Sequence, residues 1–220
     1  MTNIVLVGSS GHAKVIIDAI EKQDTHRIVG LLDRFRTPGE QTFGYHILGR
    51  EEDLPTLRAK FDIEGIIVAI GDNFVRSKVV TTLSKIWPQT MFATVVHPNA
   101  TIARDVSVGP GTVVMAGAVV HPSCSIGQHC IVNASSFLDH DSSMADFSSL
   151  APRSATGGRC QIATCSAIGI GATLIQDVSV GEHTVVGANS AVLKSVGSHK
   201  VVYGSPAKEA RFRHEGERYL

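Results

Sequence analysis

Aromatic side chains are scarce in this chain. Phe, Tyr and Trp together make up 5% of its 220 residues, while glycine occurs 21 times. Such a mix suits tightly wound β-structure better than a helical bundle. Net charge is absent as well. Lys plus Arg number 20 and Asp plus Glu number 20, so the chain has no one-signed field to draw nucleic acid or an anionic membrane. No apolar run is long enough to cross a bilayer, and no membrane insertion is expected. The opening MTNIVLVGSSGH has no basic stretch ahead of its apolar residues and reads as a first strand, not a signal peptide. Four cysteines, Cys124, Cys130, Cys160 and Cys165, all fall between residues 124 and 165. They read as small buried hydrophobes in a reducing, cytoplasmic setting.

What is present divides into two regions with different periods. Residues 1–90 alternate short apolar runs with helical patterns. NIVLVG (3–8), RIVGLLD (27–33) and EGIIVAIG (64–71) read as strands; GHAKVIIDAIEK (11–22) and NFVRSKVVTTLSKI (73–86) read as helices. This alternation predicts a small, Rossmann-like parallel α/β sheet.

Residues 91–220 follow a six-residue rule. From Val96 to Val192, every sixth residue is aliphatic or Met except Thr156. Four positions further on in each unit, from Ala100 to Val196, every residue is small or β-branched. That is the hexapeptide repeat of a parallel β-helix. Three units per coil give an 18-residue coil, and coils stack at about 4.8 Å. Residues 18 apart therefore sit above one another, which turns the sequence into a map. The large residue of each unit points inward, and the corner follows two to three residues later.

On that map His140 and Asp141 share an outward corner. Gly158 lies one coil above His140 and leaves space for a ligand. Asp141 can hold one imidazole nitrogen and leave the other as a base. A second column, Pro152, Ile170 and Ala188, is small or apolar through three coils and leaves a strip for an extended ligand. Beyond the repeat, Lys200, Lys208, Arg211 and Arg213 are candidate partners for phosphates. At the other end, the glycine turn in VLVGSSGHAKVI joins a strand to a helix, and its N–H groups can hold a phosphate. Asp33 ends the second strand about twenty residues later, where an acidic residue often meets a ribose hydroxyl.

The combination of GSSGHAKV, IGDNFVR, LDHDSSMADFSSLAP and YGSPAK resembles the sugar acyltransferase family of hexapeptide-repeat proteins, which includes sialic-acid O-acetyltransferases and UDP-amino-sugar (bacillosamine-type) N-acetyltransferases. The resemblance covers essentially the whole chain. It implies a left-handed β-helix, a homotrimer, and acetyl-CoA as cosubstrate in the groove between neighbouring β-helices. It makes His140 the general base and Asp141 its orienting partner. It assigns Ser10, Gly11, His12, Asp33, Arg34 and Gly71 to the UDP-sugar, with Arg76 a weaker candidate. It assigns Ser149, Gly158, Ile170 and Ala188 to acetyl-CoA. Ser149 stands where the family usually has a second histidine; a hydroxyl can donate a hydrogen bond there but carries no charge.

The resulting expectation is acetyl transfer from acetyl-CoA to a UDP-4-amino-sugar, with no metal required. Acetylation of a sialic-acid hydroxyl is the alternative. A γ-carbonic-anhydrase-like metal enzyme and a non-catalytic sugar-nucleotide-binding protein are remoter ones. For the metal reading, His129 and His183 share a column but lie three coils, about 14 Å, apart. His121, one coil below and one residue off, is the only near neighbour of His140.

Overall fold

The computed structural model describes residues 1–219. Six strands form the N-terminal sheet: β1 (Thr2–Val7), β2 (His26–Leu32), β3 (Gln41–Thr42), β4 (Tyr45–Gly49), β5 (Gly65–Val68) and β6 (Met91–Phe92), in the order β3-β4-β2-β1-β5-β6. All pairings are parallel except β3 with β4. Because β2 and β5 flank β1 on opposite sides, the chain reverses its winding there. A crevice opens at the carboxyl ends of the strands at such a point. The sheet extends to Phe92, and the first strand of the repeat begins at Val95.

Helix α1 (Gly11–Gln23) buries Ala13, Ile16, Ile17, Ala19 and Ile20, the stripe that a 3.6-residue period dictates. It stops at Asp24, which adopts the left-handed conformation (φ 56°). Helix α2 (Leu54–Phe61) and helix α3 (Asn73–Ile86) pack on the opposite face of the sheet, against Val5, Val7 and Val68, and the Asp72 carboxylate accepts the Val75 N–H to cap α3.

The repeat region is a left-handed parallel β-helix. Two-residue strands stack into three faces. Pairs such as Val113 with Ile131, Val119 with Phe137 and Ser125 with Ser143 sit 18 residues apart, as the map requires. Strands through Val113, Ile131, Ser149 and Ala167 make face one; those through Val119, Phe137 and Ala155 make face two; those through Ser125, Ser143 and Gln161 make face three. Val114, Val132, Leu138, Leu150 and Ile168 fill the interior with no exposure at all. Each such side chain contributes roughly 1.5–3 kcal/mol by leaving water. The small interior positions also satisfy the turns: Ser136, Ser148 and Ser154 each donate to the carbonyl three residues earlier at 2.7 Å.

Two positions depart from the six-residue rule. Thr156, the one polar residue of the large interior row, accepts the Asp139 N–H on its hydroxyl at 3.0 Å. Val196 is the second. The last coil is two residues short, so Val196 bridges Val180 and not Val178. It therefore belongs to the large interior row, which corrects its assignment to the small row. The chain closes the stack with a hairpin of Lys200–Gly204 and Ala207–Phe212.

The sheet domain docks onto face one. Helix α1 and its neighbours form one apolar cluster with Val113, Met115 and Ile131, which point outward from that face. Arg76 of α3 is 1% exposed and donates to the carbonyls of His129 and Phe147 on the β-helix, to Ile70 and Gly71 on the sheet domain, and to Asn73 Oδ1. It is thus neither a solvated helix residue nor free to meet a nucleotide. Its sequence assignment is corrected: it joins the two parts of the chain.

Candidate active site

Three places carry the chemistry-bearing residues. The first is the edge between faces two and three, where each corner turns through one left-handed residue. At this corner that residue is Asp141 (φ 56°), a conformation that Asp tolerates better than most. Its carboxylate lies 2.7 Å from His140 Nδ1. With Nδ1–H donating to Asp141, Nε2 holds a lone pair on an exposed ring. The imidazole folds back over Gly158: a Cβ there would lie 2.6 Å from both Cε1 and Nε2. The space that the sequence reserved above Gly158 for a ligand is thus taken by the His140 ring itself.

Asp139, absent from the sequence candidates, braces the same corner. Its Oδ1 accepts the His140 backbone N–H at 2.8 Å and faces His121 Nδ1 at 2.9 Å. Partial burial alone would raise the Asp139 carboxyl, but these two hydrogen bonds outweigh it and hold the carboxyl below its ordinary range. Two His–carboxylate pairs therefore stand on neighbouring coils.

The second place is a cavity of 420 Å³ between face one and the sheet domain. Ser149, Pro152, Ile170 and Ala188 line it together with His12 and Gly71. The structure thus brings Ser149 to the small-residue edge. It also brings His12 there, away from Ser10, Asp33 and Arg34. His12 is pushed down to about 4 by burial first and by the Arg76 charge second. It is neutral at ordinary pH, and its Nε2 has no hydrogen-bond partner among the described residues. Ser149 Oγ accepts from Asn73 Nδ2 at 3.0 Å, and its hydroxyl also meets that of Tyr219. Tyr219 also lines this cavity, its hydroxyl accepting the Asn73 N–H at 3.1 Å. Nothing in the repeat pattern foretells a residue from so far along the chain.

The third place is the crevice at the ends of β1, β2 and β5, 310 Å³ in volume. Ser10, Asp33, Arg34 and Gly71 line it, with Phe35 and Glu51, which no sequence motif marked. Gly8 (φ +103°) is required at its floor, because a Cβ there would lie 2.9 Å from the Ala69 carbonyl oxygen. Ser10 starts α1 without a side-chain cap, and the first turn carries no acid, so the helix N-terminus keeps its full positive end. Nothing lies within 4 Å of a Cβ built on Gly11. Asp33 is already engaged: Oδ2 accepts from Ser9 Oγ at 2.5 Å and Oδ1 from the Phe35 N–H at 2.8 Å. Gly71 lines both this crevice and the cavity, so the two meet there.

His140 is not among the residues lining either space. Pro152, Ile170 and Ala188 follow face one, whereas His140 follows face two, so they occupy different edges of the prism. One six-residue unit separates neighbouring edges by up to roughly 20 Å. Of the tail cations, Lys200 pairs with Glu209 and Arg211 with Glu217, both at 2.6 Å. Arg213 is buried and donates to the carbonyls of His183 and Glu217. Lys208 alone of the four has no such partner among the described residues.

Residues 3–83 match the PglD N-terminal domain family. The chain is 31% identical over 119 residues to the UDP-N-acetylbacillosamine N-acetyltransferase of Bacillus subtilis (strain 168), a match covering 53% of this chain and 52% of that protein. It thus spans about half the length of the curated relatives it matches. Among solved structures, a point mutant of perosamine N-acetyltransferase from Caulobacter crescentus in complex with CoA and GDP-perosamine superposes with a TM-score of 0.90 at 28% identity, over 96% of this chain and 98% of that one. The acetyltransferase domain of PglB from Neisseria gonorrhoeae FA1090, in complex with acetyl coenzyme A, gives 0.87 at 29% identity, over 94% and 98%. The chain thus carries a PglD-type N-terminal domain ahead of a hexapeptide-repeat β-helix, and nearly its whole length is similar in fold to these acetyltransferase structures.

Proposed function

We propose that the protein transfers the acetyl group of acetyl-CoA to the amine of a nucleotide-linked amino sugar, with His140 as general base. The observation that carries this reading is the His140–Asp141 pair at 2.7 Å, on a chain that also holds a nucleotide-sized crevice and a small-residue edge. Two of the relatives named above, an N-acetyltransferase named for a UDP-linked sugar and one bound to GDP-perosamine, support the amine over a hydroxyl acceptor.

In this mechanism the phosphates sit at the N-terminus of α1 and the sugar reaches toward His140. Nε2 accepts a proton from the acceptor nitrogen, which needs its lone pair to attack. The nitrogen adds to the thioester carbonyl carbon, and the C–S bond breaks to release the CoA thiolate. Asp141 holds Nδ1–H and stabilises the imidazolium formed. The Ser149 hydroxyl donates to the thioester carbonyl oxygen as negative charge develops on it. No covalent acyl-enzyme is required. Burial pushes all four thiols up, which disfavours the thiolate a cysteine nucleophile would need.

Because His140 and the Pro152–Ile170–Ala188 edge lie on different edges of one chain, the complete site joins His140 of one copy to that edge of another. A homotrimer with parallel β-helix axes, in the cytoplasm, supplies three such junctions. The test is thiol release from acetyl-CoA with a panel of UDP- and GDP-linked 4-amino sugars and free sialic acid. Release with an amino sugar and none with sialic acid is expected; release with sialic acid alone would make the enzyme an O-acetyltransferase.

A further inference from the structure

Glu51 is 3% exposed, yet it lines the crevice, and its Oε2 has no hydrogen-bond partner among the described residues. Its Oε1 is held by Arg34, which donates from Nε at 3.3 Å and Nη2 at 3.1 Å. Arg34 keeps Nη1 outside this pair, on a side chain that is 45% exposed. A buried carboxylate oxygen without a donor is costly, so a position of this kind calls for a donor from elsewhere.

The sheet order says what part of a ligand would arrive. The α1 N-terminus follows β1, Asp33 follows β2, and Glu51 follows β4, the next strand outward. Phosphates at α1 and a ribose near Asp33 therefore put the base at Glu51. Phe35, 90% exposed at the same crevice, offers an aromatic face beside it.

We propose that Arg34 and Glu51 together read the lactam edge of the nucleobase. Arg34 Nη1 donates to a ring carbonyl oxygen, and Glu51 Oε2 accepts the adjacent ring N–H. Uracil presents that pair at O4 and N3–H, and guanine presents it at O6 and N1–H. Cytosine and adenine offer an amino group beside an unprotonated ring nitrogen, which reverses both roles. This inference rests on the crevice being the nucleotide site.

Titration calorimetry of the full-length protein with UDP, CDP, GDP and ADP tests it by comparing bases of equal size. UDP should bind more tightly than CDP, and GDP more tightly than ADP if either purine is admitted, by at least about fivefold, the low end for a matched bidentate contact. Glu51→Gln should shrink that ratio, because a carboxamide can turn either its oxygen or its NH₂ to the base; Arg34→Met should shrink it too without touching the buried residue. Equal affinity within both pairs, or an undiminished ratio in both variants, overturns the proposal while leaving the crevice a nucleotide site. Failure of all four to bind overturns both readings.

Discussion

At the corner formed by residues 139 to 141, an outward turn of the repeat holds an imidazole fixed between two carboxylates' hydrogen bonds. Asp141 takes the left-handed turn position and thereby brings its carboxylate to Nδ1, while Asp139 holds the backbone N–H of the same histidine. His140→Ala should lower turnover by about 10²–10⁴-fold, the usual range for losing a general base. Binding of both substrates should change little. Asp141→Asn should cost less, since the ring keeps a neutral partner. Steady-state rates at saturating acetyl-CoA check both. Gly158→Ala is the sharper geometric probe, because its Cβ would occupy the ring's place. It should lower kcat with little change in KM, and an unaltered kcat would show that the ring's position over Gly158 is unimportant.

Histidines away from this corner contribute to acid stability, His129 and His12 among them. Burial first, then the Arg76 charge, push His129 down to about 4, against the opposing pull of Asp146. Its folded value lies below the unfolded 6.5, so the unfolded chain binds more protons between those limits. Stability is therefore whole above pH 6.5 and is lost as pH falls toward 4, on the order of 3 kcal/mol for this group. His129 stacks on Phe147 at 5.2 Å and meets Phe92 edge-on at 4.6 Å, so a phenyl ring suits the site. Urea titrations at pH 7 and 4.5 should show His129→Phe losing roughly 2–3 kcal/mol less than the parent protein on acidification. An equal loss in both would assign the acid sensitivity to other groups.

Among the elements, the β-helix was legible and its docking was not. A six-residue period states which residues face inward, because each strand is only two residues long and leaves no choice of face. The same rule explains why Thr156 stood out: its hydroxyl replaces a backbone acceptor for Asp139, beside the His140 corner. The short last coil escaped the rule because Val196 fits either interior row by size. Arg76 and His12 escaped it for another reason. Their surroundings come from the β-helix, far away in sequence, and a helix pattern read locally assigns an arginine to solvent and a histidine to the nearest glycine turn. Arg76→Met should remove donors from four backbone carbonyls and cost about 3–5 kcal/mol. The loss should appear in thermal melts as weakened docking of the sheet domain; unchanged stability would mean that the apolar contacts at Val113, Met115 and Ile131 suffice alone.

For the whole molecule, the central claim is that one chain holds all the parts of the site but cannot bring them together. The crevice and the cavity meet at Gly71, whereas His140 stands on another edge. The sequence map already put His140 and the Pro152–Ile170–Ala188 column on different corners, but not which of the two the sheet domain would cover. That depended on apolar residues pointing outward from face one, a signal that a surface of any kind could carry. The most direct test is complementation between two inactive variants. His140→Ala and Ala188→Trp are each purified, dissociated in mild denaturant, mixed in equal amounts and reassociated, with thiol release as the readout. If each site joins His140 of one copy to Ala188 of another, about a quarter of the sites in randomly mixed trimers receive two intact halves, and activity should return to that fraction of the unmutated protein's. A mixture as inactive as its two components would show that both residues of each site come from one chain.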